Sequence, residues 1–402
     1  MKKNLLALLI ILLSTFKYGE TAEMFTKYYN ATVLRNHEFV REDLWVSAGK
    51  IIAPQSHCDL EIDVEGRLIA PGYIDVQING AFGIDLTSNP EEVDHIARGL
   101  CRYGVTSFLP TIVSASADHY KQGIPLLKEK IGNTDAATIL GIHLEGPFIN
   151  PHYCGAHDSG VIPGTFEDMN SLIKYYSSLE GVAMVTLAPE LPGAIDIIKE
   201  LKAKNIIVSA GHSNANTSAI DKGLEAGVSM ITHLFNAMRP FHHRDPGIIG
   251  AALTDSRLYY SLIVDGKHLD SATTKLAWKA HPEGLILVSD AMAATGLSEG
   301  IYQLGTGTVS VDEDGTPYIN GTSILAGSTL TLNDAVRRLR KLTGCSAAYA
   351  IECASLKPAL LLGKEKEKGS LDLGADADFI FLDDDLHVKA TFIAGTQVYL
   401  AD

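Results

Sequence analysis

Residues 138–148 read TILGIHLEGPF. An apolar run carries a carboxylate, Glu145, to its very end, and a Gly-Pro turn stops it there. Similar runs occur at YIDVQIN (73–79), TSFLPTIV (106–113), AMVTLAPE (183–190), IIVSAGH (206–212), SMITHLF (229–235), YYSLIVDG (259–266) and GLILVSD (284–290). The segments between them, such as PEEVDHIARGLCRYG (90–104) and NANTSAIDKGLEAG (214–227), space their apolar residues as helices do and end at glycine. Short buried runs alternating with helices indicate a parallel α/β domain, and eight of them predict a closed (β/α)8 TIM barrel over residues 71–373.

The flanks have a different pattern. DLWVSAGKII (43–52) and LEIDVEGRLIA (60–70) near the start, with ADFIFLD (377–383) and VKATFIAGTQVYL (388–400) at the end, read as strands separated by glycines and acidic turns. They predict a small β-sandwich domain assembled from both chain ends, residues 24–70 and 374–402. Residues 1–23 stand apart as a signal-like leader: Lys2 and Lys3 precede an apolar run from Leu5 to Leu13. Its cleavage region is crowded by Lys17, Tyr18 and Glu20, where small residues are wanted.

With 46% hydrophobic and 20% charged residues, the chain has the composition of a globular protein. A formal net charge of −15 argues against nucleic acid as a partner, which needs clustered Lys and Arg. An anionic small molecule is compatible if positive groups are gathered locally. Beyond the leader no run is long and apolar enough to span a membrane. Cys58, Cys101, Cys154, Cys345 and Cys353 are odd in number, widely spaced and without a CxxC pair, which indicates free thiols. Sequons at Asn30, Asn216 and Asn320 read as chance occurrences.

Nearly every predicted strand ends in a chemically capable side chain: Gln77 and Asn79, Glu145, Glu190, His212, His233, Asp265 and Asp290. In such a barrel the active site is built at that face. One carboxylate and two imidazoles on neighbouring strands (Glu145, His212, His233) form a ligand set with an open position for a divalent ion. A cation there also compensates a buried Glu145. Asp290 ends the eighth strand, which closes beside the first, so it faces the ion across the mouth as general base and then general acid.

The series IDVQING, HLEGPF, GHSNA, THLFNAM, HHRDPG, DGKH and VSDA resembles that of the N-acetylglucosamine-6-phosphate deacetylases, in the amidohydrolase superfamily. The stretch ASLKPALLLG with KGSLDLGADADFIFLD is similar to an ending shared widely among amidohydrolases. The resemblance runs from about residue 25 to the C-terminus and keeps the motif order. Where many amidohydrolases carry His-x-His for a second metal, this chain has Gln77-Ile78-Asn79, a vestigial second-metal position, and the resemblance implies one divalent ion per subunit at Glu145, His212 and His233. Zinc is the first expectation, with iron, cobalt and manganese compatible.

Further roles are implied by the resemblance. Ala156 and His157, in CGAHD, match the pair beside the scissile amide, with His157 polarising the acetyl carbonyl. Asn236 and Ala237, in LFNAM, match phosphate contacts; Arg244 and His268 match a phosphate clamp, with Arg244 reaching toward a neighbouring subunit. Ile324, Leu325 and Ala326, in SILAGS, match a loop covering the sugar. The implied reaction is hydrolysis of the acetamide of N-acetyl-D-glucosamine 6-phosphate to D-glucosamine 6-phosphate and acetate, in amino-sugar catabolism. The implied partner is that phosphorylated amino sugar, and the implied assembly a homodimer. Two alternatives are another amidohydrolase acting on an N-acyl or cyclic amide, and a non-catalytic barrel scaffold. The resemblance favours the cytoplasm; a functional leader would direct the chain to the secretory pathway.

Overall fold

The computed structural model describes residues 24–132 and 135–401; the signal-like leader expected over residues 1–23 lies outside the described residues. Eight parallel strands follow one another around a barrel: β1 (Tyr73–Ile78), β2 (Val105–Ile112), β3 (Ile142–Glu145), β4 (Val182–Leu187), β5 (Ile207–Ala210), β6 (Val228–Ile231), β7 (Tyr259–Leu262) and β8 (Leu285–Leu287). Each is followed by an outer helix, from Val93–Leu100 after β1 to Leu332–Thr343 after β8. Burial on both faces accounts for the near-continuous apolar runs. Ladders join each strand to the next from β1 to β8. The seam between β8 and β1 is closed by a bridge at Ile78–Ala291 and by the Asp290 N–H donating to Gln77 O at 2.9 Å, so the barrel is nearly rather than fully closed.

The strands are shorter than the apolar runs. The runs reach His212, Phe235, Gly266 and Asp290, whereas the strands stop at Ala210, Ile231, Leu262 and Leu287. Beyond those points the chain turns through left-handed residues: φ is 48° at His212, 32° at His233, 79° at Phe235 and 47° at Asp290. A strand cannot continue through that region. The run 138–145 is likewise split at Gly141 (φ 150°), where a Cβ would stand 2.5 Å from Ala183 Cβ.

Both chain ends build the sandwich. One sheet contains Thr26–Tyr29, Leu44–Ser47, Lys50–Ile52 and Leu60–Asp63. The other has six strands, in which Leu68–Pro71 pairs antiparallel with Phe379–Leu382 and so splices the N-terminal part to the C-terminal one. Tyr28, Val33, Leu44, Ile69, Phe379 and Phe392 fill the space between, with the Phe379 and Phe392 rings stacked at 4.4 Å. A feature absent from the sequence reading follows β8: a three-stranded antiparallel sheet of Gly300–Leu304, Gly307–Val311 and Pro317–Ile319. The sequence motifs point only to a covering loop at 324–326 in this region.

Candidate active site

The ends of β1, β3, β5, β6 and β8 converge on one side chain. Glu145, the last residue of β3, is 2% exposed. Its Oε1 stands 3.2 Å from His212 Nε2, 3.0 Å from His233 Nε2 and 3.0 Å from Gln77 Nε2. The two imidazole nitrogens are 3.0 Å from each other, and all three ligand atoms lie within 4.8 Å of one another. Among the described residues this is the group of His, Cys, Asp and Glu side chains with metal-ligand geometry. Two nitrogens and one carboxylate oxygen aimed at a common point suit a small divalent ion.

Local backbone chemistry sets these directions. Gly211 lets the chain pass its neighbours: a Cβ there would meet Thr232 Cβ at 2.8 Å. His212 then donates from Nδ1 to Tyr153 O at 2.9 Å, which leaves the Nε2 lone pair free for a ligand. Its own carbonyl accepts from Asn150 N at 2.8 Å. Glu190 braces the same corner, accepting from Asn150 Nδ2 (2.9 Å), Asn214 N (2.6 Å) and Ser213 Oγ (2.6 Å). His233 is fixed through its backbone N–H, donated to Ser261 Oγ at 2.8 Å. One layer below, His143, Thr186, Thr232 and Ser209 form a buried hydrogen-bonded chain across β3 to β6.

Asp290 faces this cluster from the seam. Its Oδ1 accepts from Asn79 Nδ2 at 2.7 Å and from Gln77 Nε2 at 3.3 Å. Gln77 thus bridges the two carboxylates with its NH2 group. Burial, and then the charge of Glu145, push the Asp290 carboxyl up to about 7. Burial would also raise Glu145, but the His212 and His233 imidazoles beside it outweigh that and hold the carboxyl well below its ordinary range. His157, 4.0 Å from Glu145 through Nε2, is driven down to about 3 chiefly by burial, so it is a neutral imidazole.

A cavity of roughly 350 Å³ opens above these groups. It brings together Glu145, His212, His233, Asp290, His157, Ala156, Asn236, Ala237, His268, Ile324 and Leu325, all expected from the sequence, along with Asn79. His268 is oriented by Asp265, whose Oδ2 lies 2.7 Å from its Nδ1. Ala326 does not line the cavity; it is fully buried beside Met292 and Ala293. Arg244 lies on an exposed loop apart from the lining, with Nη1 3.1 Å from His243 Nε2. Val113, Ile263 and Leu304 line the cavity although no sequence motif marks them. Leu304 arrives on the unforeseen sheet, whose turn is held where Gly305 N donates to Asp85 Oδ2 at 2.9 Å.

The amidohydrolase family model matches residues 68–398. The chain is 44% identical to the N-acetylglucosamine-6-phosphate deacetylase of Homo sapiens, over 96% of this chain and 98% of that protein. It is 35% identical to the protein of that name from Lysinibacillus sphaericus, over 88% and 92%. The crystal structure of the Thermotoga maritima deacetylase superposes with a TM-score of 0.84 at 31% identity, covering 93% of this chain and all of that one. A mutant of the Mycobacterium smegmatis deacetylase, in complex with N-acetyl-D-glucosamine-6-phosphate, has the same TM-score at 30% identity, covering 94% and 99%. By length, order and identity of match, the chain belongs to the amidohydrolase family and, within it, to the N-acetylglucosamine-6-phosphate deacetylases.

Proposed function

We infer that the chain hydrolyses the acetamide of N-acetyl-D-glucosamine 6-phosphate, releasing D-glucosamine 6-phosphate and acetate. The observation that carries this is the convergence of Glu145, His212 and His233 opposite Asp290, at one end of a cavity whose lining also includes His268 and Asn236. A divalent ion held by the three ligands, zinc before iron, cobalt or manganese, would supply Lewis acidity toward a carbonyl and toward water. Asp290 takes a proton from the attacking water and returns it to the departing amine. Asn79 and Gln77, in the place of a second-metal pair, hold the Asp290 carboxylate in position. His157 polarises the acetyl oxygen beside Ala156. Binding of the phosphate by His268, Asn236 and Ala237 orients the amide for attack.

Arg244 completes the phosphate site from a second copy of the chain in a homodimer. Its exposed loop, with Phe241 55% exposed beside it, supports that reading. All five cysteines are unpaired, and no described helix is long and apolar enough to cross a membrane. Those thiols and a phosphorylated substrate support action in the cytoplasm. The presence of all three ligands with Asp290 supports an enzyme over a scaffold.

Acetate release from N-acetylglucosamine 6-phosphate by metal-loaded protein tests the reaction, with Asp290→Asn and unphosphorylated N-acetylglucosamine run alongside. The wild type is expected to turn over the phosphorylated sugar. The folded, metal-bound variant should be slower by on the order of a hundredfold or more. Equal kcat/KM for the two sugars would refute the phosphate assignment, and full activity of the variant would refute the role of Asp290.

A further inference from the structure

Ser114 follows β2 and is 2% exposed. Its backbone N–H lies 3.2 Å from His157 Nδ1, and its Oγ lies 2.7 Å from the same nitrogen. A backbone N–H can only donate. Nδ1 is therefore an acceptor and carries no proton, which in a neutral imidazole puts the proton on Nε2. The hydroxyl, sharing that nitrogen, donates to it as well. Nε2 is the ring atom that faces Glu145 Oε1 at 4.0 Å, so His157 presents an N–H to the reacting end of the cavity.

The surroundings make room for this contact and hold it. Gly146, in the turn after Glu145, has φ 78°, and a Cβ there would stand 2.2 Å from Ser114 Oγ. The glycine of HLEGPF is thus needed twice, for its backbone angle and for the serine hydroxyl. The Gly146 carbonyl is held by the hydroxyls of Tyr176 at 2.8 Å and Tyr120 at 3.3 Å. On the other side, Val113 N donates to Thr87 Oγ1 at 3.1 Å. The His212 ring, 4.4 Å away, has the opposite wiring: a carbonyl takes its Nδ1–H and leaves Nε2 a lone pair.

We propose that Ser114 is a positioning residue that locks His157 as an Nε2–H donor, which assigns His157 to the substrate carbonyl and excludes it from the metal's ligand set. The choice of the acetyl oxygen as the acceptor rests on the reaction proposed above; the tautomer rests on Ser114 alone.

Nitrogen NMR of zinc-loaded protein with 15N-labelled histidine reads the tautomer directly, with the His157 signals assigned by their loss in His157→Gln. The expected pattern has the shift of an unprotonated ring nitrogen at Nδ1 and of a protonated one at Nε2. A proton on Nδ1, or none on Nε2, would overturn the proposal. In steady-state kinetics Ser114→Ala should lower kcat about tenfold with KM within about twofold. Ser114→Thr, which keeps the hydroxyl, should restore most of that loss. A Ser114→Ala enzyme with wild-type kcat would overturn the part assigned to the hydroxyl, since the backbone N–H remains in that variant. The spectrum is recorded without substrate, so a wild type that releases no acetate would defeat the reaction separately from the tautomer.

Discussion

The two ends of the cleft are held by different means. At the end proposed to hold the metal, Glu145, His212, His233 and Asp290 are all less than a tenth exposed, and polar contacts of 2.7–3.3 Å tie them to strand ends and to the barrel seam. At the other end Ile324 is 47% exposed, and Arg244 sits on an exposed loop with His242 and His243 for partners. The barrel fixes the groups proposed for the chemistry, which need sub-ångström placement, and loops carry those proposed to recognise the rest of the substrate. Such a division predicts that mutations at the two ends fail in different ways.

The largest effect should come from His233→Ala, which removes a proposed ligand from a buried cluster. Metal content should fall well below one ion per chain, and activity by on the order of a thousandfold. An intermediate effect is expected from Glu190→Gln, which touches no ligand but loosens three contacts around His212. Metal affinity, read by titration against a chelator, should weaken by about ten- to hundredfold, with KM nearly unchanged at saturating metal. If Glu190→Gln binds metal as the wild type does, the metal end does not depend on its braces, and the contrast with the loop end weakens. The smallest effect belongs to Arg244→Ala. It should raise KM by about tenfold, leave kcat within about twofold and leave metal content untouched. A fall in kcat matching the rise in KM would show that the loop serves the chemistry and would erase the distinction between the ends.

The sequence displays the two ends unequally as well. The barrel is visible because each strand is buried on both faces and so appears as an apolar run ending in a reactive residue. The candidate metal ligands are legible in HLEGPF, SAGH and ITHLF, since two imidazoles and a carboxylate at strand ends match the donor set of a catalytic metal site. What hydrogen bonding alone decides is not legible. Ser114, in TIVSASA, has no pattern to mark it, because its value lies in an N–H and a hydroxyl aimed at a residue far along the chain. Glu190 stands out as a strand-end carboxylate, yet its bracing of the loops after β3 and β5 needs those loops to be in place. The sheet over residues 300–319 escapes notice on different grounds. Its strands are short and half exposed, and their alternation is broken by Gly305, Gly307 and Gly315.

Strand Leu68–Pro71 lies between Thr32–Arg35, made earlier, and Phe379–Leu382, made only after the barrel. On the ribosome its second edge stays open while the whole barrel emerges, and an open edge invites pairing with other chains. A truncation that removes the last three strands would therefore expose both that edge and the apolar face now covered by Phe379, Phe381 and Phe392. The cell's quality-control machinery would meet such a product as an aggregation hazard, although Glu145, His212, His233 and Asp290 are all encoded upstream of the cut.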